Sequence, residues 1–112
     1  MRSNGVTETA LAAAAQQGDA DAYGQLVMAT ADLARRVAYG VLGSWDEADD
    51  AVQDAALAGW QAIDRFDPAR SFRPWFLRIV SNAALDQLRR RKVREADTID
   101  DTLVSSSPGP DV

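Results

Sequence analysis

Three breaks divide this chain, and the stretches between them have the period of helices. Gly18-Asp19, Gly43-Ser44 and Asp67-Pro68 each join a helix-ending or turn signal to a residue that can open the next element. Between the first two, Tyr23, Leu26, Val27, Leu33, Ala34, Val37, Ala38, Val41 and Leu42 recur at helical spacing. The spacing predicts four helices. The first covers residues 7–17 through an alanine-rich stretch and is stopped by Gly18. The second is capped by Asp19 or Asp21 and runs to residue 42, where Gly43 ends it. The third is capped by Ser44 or Asp46 and runs to residue 63. Residues 65–71, RFDPARS, form a loop, because the residue before proline is pushed away from helix. Ser71 caps the fourth helix, over residues 72–94, and Pro74 sits in its first turn, where a missing N–H costs little. The fold class is all-α, a compact bundle of about four helices. The organisation expected is an N-terminal segment with a short helix (1–18), a helical domain (19–96) and a flexible linker or tail (97–112) rich at its end in Ser, Pro, Gly and Asp.

The chain contains neither cysteine nor histidine. No disulfide or thiolate metal site can form, and the commonest metal ligand and general base are missing. An enzyme is therefore a poor reading: no catalytic residue, no metal site and no cofactor is expected. No apolar run approaches the roughly 18–20 residues that span a bilayer, and the polar start has no signal-peptide pattern. These features point to a soluble, cytosolic protein without a membrane partner.

The net charge of −5 conceals a strong asymmetry. Residues 1–64 hold three basic and ten acidic side chains, a net of −7. Residues 65–94 hold nine basic and two acidic, a net of +7, and residues 95–112 hold five acidic and no basic ones. Opposite signs on consecutive segments imply two different partners, one of them anionic. The basic group (Arg65, Arg70, Arg73, Arg78, Arg89, Arg90, Arg91, Lys92 and Arg94) is nearly all arginine, which favours bidentate contact with phosphate or guanine. A set of solvated helix faces is the plainer alternative.

Advancing 100° per residue along the fourth helix places Phe72, Phe76, Leu77, Val80, Ala83, Ala84 and Leu88 in one wide apolar sector. Trp75, Arg78, Asn82, Asp86 and Arg89 share a narrow sector on another side. An aromatic ring, two guanidiniums, an amide and one acid on a single stripe are the groups that stack on bases, hold phosphates and bond base edges. Each also has a structural reading: Trp75 in the core or at its edge, Asn82 exposed or tethering the loop, and Asp86 paired with Arg78, Arg89 or Arg90. The third helix carries Asp46, Asp49, Asp50, Gln53 and Asp54 on one face. The helix dipole explains Asp46 and Glu47 but not Gln53 or Asp54, which lie beyond the first turn. A solvated face is the plainer account of these residues, and an acidic docking face for a basic protein partner is at least as good a reading.

Three ordered pieces carry a family pattern: DAYGQLV, then VLGSWDEADDAVQDAALAGWQAIDRFDP, then SFRPWFLRIVSNAALDQLRRR. Residues 21–91, about two thirds of the chain, resemble the second conserved domain of bacterial sigma factors of the extracytoplasmic-function type. The resemblance implies a non-catalytic module that binds core RNA polymerase and recognises and helps melt the promoter −10 element. It implies that Asp49, Asp50, Gln53, Asp54 and Leu57 dock on a coiled coil of the largest polymerase subunit. It also implies that Asp67, Ala69, Arg70, Ser71, Phe72, Arg78 and Asn82 line a pocket for the single-stranded non-template strand, with one base flipped out. An anti-sigma factor is the implied inhibitor. A sigma-like adaptor that serves only as an anti-sigma ligand, without promoter recognition of its own, is the alternative.

The pattern also has departures. Ala55 and Ala56 stand where bulky apolar residues are usual, and Gly59 where a basic one is common, which implies a weaker core or polymerase contact. No stretch of these residues matches the helix-turn-helix domain with which the family reads the −35 element. Both an excised domain and a natural short protein fit that observation.

Overall fold

The computed structural model describes residues 4–103, with side chains for residues 8–96. Four helices follow one another: α1 (Asn4–Gln16), α2 (Ala20–Leu42), α3 (Trp45–Ala62) and α4 (Phe72–Leu103). A single 3₁₀ turn, Ile63–Arg65, leads from α3 into the loop before α4. No strand occurs among the described residues.

The helix boundaries follow from local chemistry. Asp19, rather than Asp21, caps α2, its carboxylate accepting from the Ala22 amide at 3.1 Å. Gly43 takes the left-handed conformation at φ 71°, and its N–H closes α2 on the Tyr39 carbonyl at 2.7 Å. Ser44, rather than Asp46, caps α3 through the Glu47 amide at 3.3 Å. The start of α4 departs from expectation. The Phe72 amide donates not to Ser71 but to Glu8 Oε2 of α1, at 2.5 Å. A serine cap ordinarily accepts from the second or third amide of its helix, and the third residue here is Pro74, which has no N–H. A carboxylate from α1 meets the positive helix end instead.

The far end of α4 also differs. The helix continues past residue 94 to Leu103. Glu95 and Ala96 are good helix formers, and no glycine or proline interrupts the chain before Pro108. The linker expected over residues 97–112 is therefore helical in its first part, and residues 104–112 lie outside the described ones.

α2 packs on α1, α3 and α4, and α3 packs on α4. The core has two parts. Along the shafts small residues predominate, with Leu26, Leu42 and Val80 set among them. Ala48, Ala51, Ala55 and Gly59 recur at steps of three and four along α3 and are all buried. Ala34 and Ala38 of α2 and Ala84 of α4 are wholly buried as well. Small side chains let helix axes approach closely. The departures at Ala55 and Gly59 therefore serve packing. Tyr23 of α2 lies over Gly59, where a Cβ would overlap its hydroxyl, and that hydroxyl donates to the Ala56 carbonyl at 2.5 Å.

At the loop end the core is aromatic. Tyr23, Trp60, Phe66, Phe72, Trp75 and Phe76 form one linked group, with ring centroids 4.9–6.2 Å apart. Phe72, Phe76 and Val80 are the largest fully buried side chains. Each contributes about 1.5–3 kcal/mol of hydrophobic stabilisation.

Candidate nucleic-acid interface

The loop before α4 is held from inside and from below. Residues 67–70 form a β-turn closed by the Arg70 amide on the Asp67 carbonyl at 2.9 Å, with Pro68 in the second position that proline favours. The Asp67 carboxylate also accepts from the Ala69 amide at 3.0 Å, and the Arg70 guanidinium lies 3.8 Å from it. Asp67 is thus a turn-forming residue. Beneath the turn, buried Phe66 packs on Phe72 and Trp75. Gln16 of α1 reaches the carbonyls at the loop entrance, its Nε2 donating to Ile63 at 2.9 Å and to Phe66 at 2.6 Å.

Over this support lies an open hollow of about 490 Å³. It is lined by Arg65, Phe66, Asp67, Arg70, Ser71, Pro74, Trp75 and Arg78. Six of these were singled out by sequence; Phe66 and Pro74 were not assigned to the site. Trp75 is half-buried, its ring tilted over Phe66 at 4.9 Å, so it belongs to the core edge and to the hollow at once. Three guanidiniums and an indole around one concavity can hold phosphates and stack on a base.

The remaining candidates separate. Ala69 is exposed at the tip of the turn. Phe72 is 1% exposed, so its side chain is core and not a surface contact. Arg73 faces the opposite flank, beside Glu8, Leu11, Leu26 and Thr30. The rest of the stripe runs out of the hollow into a groove between α3 and α4 of about 790 Å³, where Asn82, Asp86, Arg89 and Arg90 line one wall. Asp54, Leu57, Ala58 and Gln61 of α3 line the other. Asp86 sits between two arginines, 2.8 Å from Arg90 and 3.9 Å from Arg89, and Arg90 also reaches Asp54 at 4.0 Å. The positive charge of this groove is thus largely compensated within it.

Arg91 turns away from the stripe. Its Nη1 donates to Glu47 Oε1 at 2.6 Å and to the Leu42 carbonyl at 3.1 Å, joining α4 to the α2–α3 junction. It is half-buried and serves the fold. The helical wheel marks it as one more cation of the run, because periodicity carries no information about a partner 44 residues away.

On α3, Asp46, Asp50, Gln53, Asp54 and Leu57 are exposed, and Leu57 is 65% exposed. Asp49 is tied to Arg35 of α2, Nε to Oδ1 at 2.6 Å, and this hydrogen bond pushes the Arg35 pKa further up. Arg35 also covers the Trp45 ring at 4.6 Å, and Trp45 stacks on Tyr39 at 4.0 Å. An exposed leucine within an acidic face suits a partner with basic and apolar groups. Among the described residues no cluster of acidic side chains suits a metal ion, and no helix is long and apolar enough to cross a membrane.

Comparison with known proteins matches residues 26–94 to the family described as Sigma-70 region 2. The chain is 43% identical over 113 residues to the RNA polymerase sigma factor NccH of Alcaligenes xylosoxydans xylosoxydans, covering 93% of this chain and 59% of that protein. It is 39% identical over 114 residues to the sigma factor CnrH of Cupriavidus metallidurans, covering 90% of this chain and 58% of that one. To the ECF sigma factor SigW of Bacillus subtilis it is 35% identical over 77 residues, 69% of this chain and 41% of SigW. The chain thus spans about three fifths or less of the length of these relatives. Among solved structures, an engineered region 2 of sigmaE in complex with GTAAAA is similar, with a TM-score of 0.72 at 29% identity over 78% of this chain and 90% of that one.

Proposed function

The chain belongs to the sigma-70 region 2 family, in its extracytoplasmic-function branch, and from that premise we propose that it docks on core RNA polymerase and reads the promoter −10 element as melted single strand. The observation that carries the reading is the hollow of Arg65, Arg70, Trp75 and Arg78 above a buried aromatic floor. It has the size and chemistry for an unstacked base flanked by phosphates, and the similar engineered region 2 of sigmaE was solved in complex with GTAAAA. Opening a duplex costs about 1.4 kcal/mol per stacking step, beyond what one small domain supplies. Capture of each exposed base returns roughly 1–3 kcal/mol, so the domain traps an opened non-template strand. Polymerase supplies the remaining binding energy.

The docking element is α3, through Asp46, Asp50, Gln53, Asp54 and Leu57, and its target is a coiled coil of the largest polymerase subunit. Asp49 takes part with its carboxylate already oriented by Arg35. An anti-sigma factor that covers α3 and the hollow is the fitting antagonist. The cytoplasm, where promoter DNA and polymerase meet, is the site of action.

The test is fluorescence anisotropy with labelled single strands containing GTAAAA, their scrambles and the matching duplexes, together with retention by core polymerase. The expected result is preference for single strand, some sequence selectivity, and retention that Leu57→Arg abolishes. Equal binding of single strand and duplex, with no retention by polymerase, overturns the reading. Retention by an anti-sigma factor alone identifies the adaptor instead.

A further inference from the structure

We infer that α1 is a strap that presets the recognition loop, with Gln16 and Glu8 as positioning residues for strand selectivity. The inference rests on the proposed role of the hollow. It concerns residues that lie before the matched family segment, which begins at residue 26.

The two side chains grip opposite ends of one short segment. Gln16 Nε2 gives both its hydrogens to the carbonyls of Ile63 and Phe66, where the chain leaves α3. Glu8 Oε2 accepts the amide of Phe72, where the chain enters α4. Residues 67–71, between these anchors, carry Asp67, Arg70 and Ser71 of the hollow. Those anchors are 47 to 64 residues away from their partners in sequence, so each fixes the loop relative to a different part of the chain. The body of α1 is seated independently, through buried Ala12 and Ala15. Losing a grip on the loop therefore need not unseat the helix.

The physical consequence concerns selectivity more than affinity. Phosphate attraction depends on charge and tolerates a loop that moves by an ångström. A pocket that discriminates one base from another does not, because its contacts must stand in place before the base arrives. Loosening the loop costs the matched strand its advantage while leaving the charge-driven background.

The experiment uses Gln16→Glu, which keeps the shape but replaces the donor, and Glu8→Ala, with Glu8→Gln as the variant that keeps an acceptor. Two readouts are taken on the full chain: amide hydrogen exchange over residues 66–72, and the ratio of affinities for a GTAAAA-containing single strand and its scramble. Gln16→Glu and Glu8→Ala are expected to speed exchange in that segment about tenfold and to lower the affinity ratio three- to tenfold. The salt dependence and the exchange in α2 and α3 stay as in the parent, and Glu8→Gln restores both readouts. Unchanged exchange and an unchanged ratio in both variants overturn the inference. So does a uniform loss of stability and of binding to all strands, which would make α1 merely structural. If the parent chain shows no selectivity while the variants still speed loop exchange, the promoter reading fails and the strap stands.

Discussion

The hydroxyl of Tyr23 fills the space that Gly59 leaves by having no side chain, and from there it reaches the Ala56 carbonyl one turn earlier. Two helices are thereby joined at a point where a change in one residue alters what the other tolerates. Gly59→Ala gains up to about 1 kcal/mol of helix propensity but forces the buried ring to move, at about 1–3 kcal/mol. The substitution should destabilise the parent chain. In a Tyr23→Phe background, which itself costs about 1 kcal/mol, the obstruction is gone and Gly59→Ala should become neutral or stabilising. Urea unfolding of the four combinations measures the coupling.

The same tyrosine makes stability fall in strong base. Burial raises its pKa from 10.0 to about 12. The folded state therefore holds the proton more tightly than the unfolded chain. The stabilisation is complete below pH 10 and is lost as pH rises from about 10 to 12, by about 2–3 kcal/mol in all. Other groups titrate in that range, so the measurement is the difference between the parent and Tyr23→Phe. The variant should lack this part of the decline.

Arg91 and Arg78 look alike in sequence and should behave oppositely. Arg91→Ala removes the link from α4 to Glu47 and Leu42 and should cost about 1–3 kcal/mol of stability. Strand binding by the folded protein should be nearly unchanged. Arg78→Ala, at an exposed position in the hollow, should leave the melting temperature in place. It should weaken all single strands and flatten the salt dependence by about 0.7 in log–log slope. Equal effects of the two variants on binding would refute the assignment of Arg91 to the fold.

Asp86 restrains the charge of the groove. Its carboxylate engages Arg89 and Arg90 together, so Asp86→Asn releases Arg89 at an exposed surface and leaves Arg90 only its longer contact to Asp54. Binding of unrelated single strands should rise a few-fold at low salt, and their salt slope should steepen by about 0.7 for each phosphate newly engaged. Titrations at several salt concentrations decide it. A change confined to one strand sequence would instead make Asp86 a base-reading residue.

Local chemistry was legible in the sequence and long-range chemistry was not. Gly43, Ser44 and the Asp67-Pro68 turn state their conformations in their own side chains, and Phe76, Val80 and Ala84 fall in phase with the buried face. A pocket here was implied by the family resemblance, and the part of its lining that agrees, Asp67, Arg70, Ser71 and Arg78, comes from one continuous segment. The cap on α4, the loop anchors and the fate of Arg91 could not be anticipated, since each depends on a partner more than 40 residues away. The division of the basic stripe between hollow and groove has the same origin. A helical wheel gives the direction of a side chain but not the neighbouring helix that α3 brings against Asn82 and Asp86.

The two-part core bears on how cohesion is distributed along the molecule. Alanine has no rotamers to lose, so the shafts order at little entropic cost but also gain little from leaving water. The rings under the loop bury far more surface per residue. The loop end is therefore the most cohesive end of the domain and the last expected to loosen on warming. A partially melted molecule would fray at the α2–α3 turn first, and keep the loop end around Phe66, Phe72 and Trp75 longest.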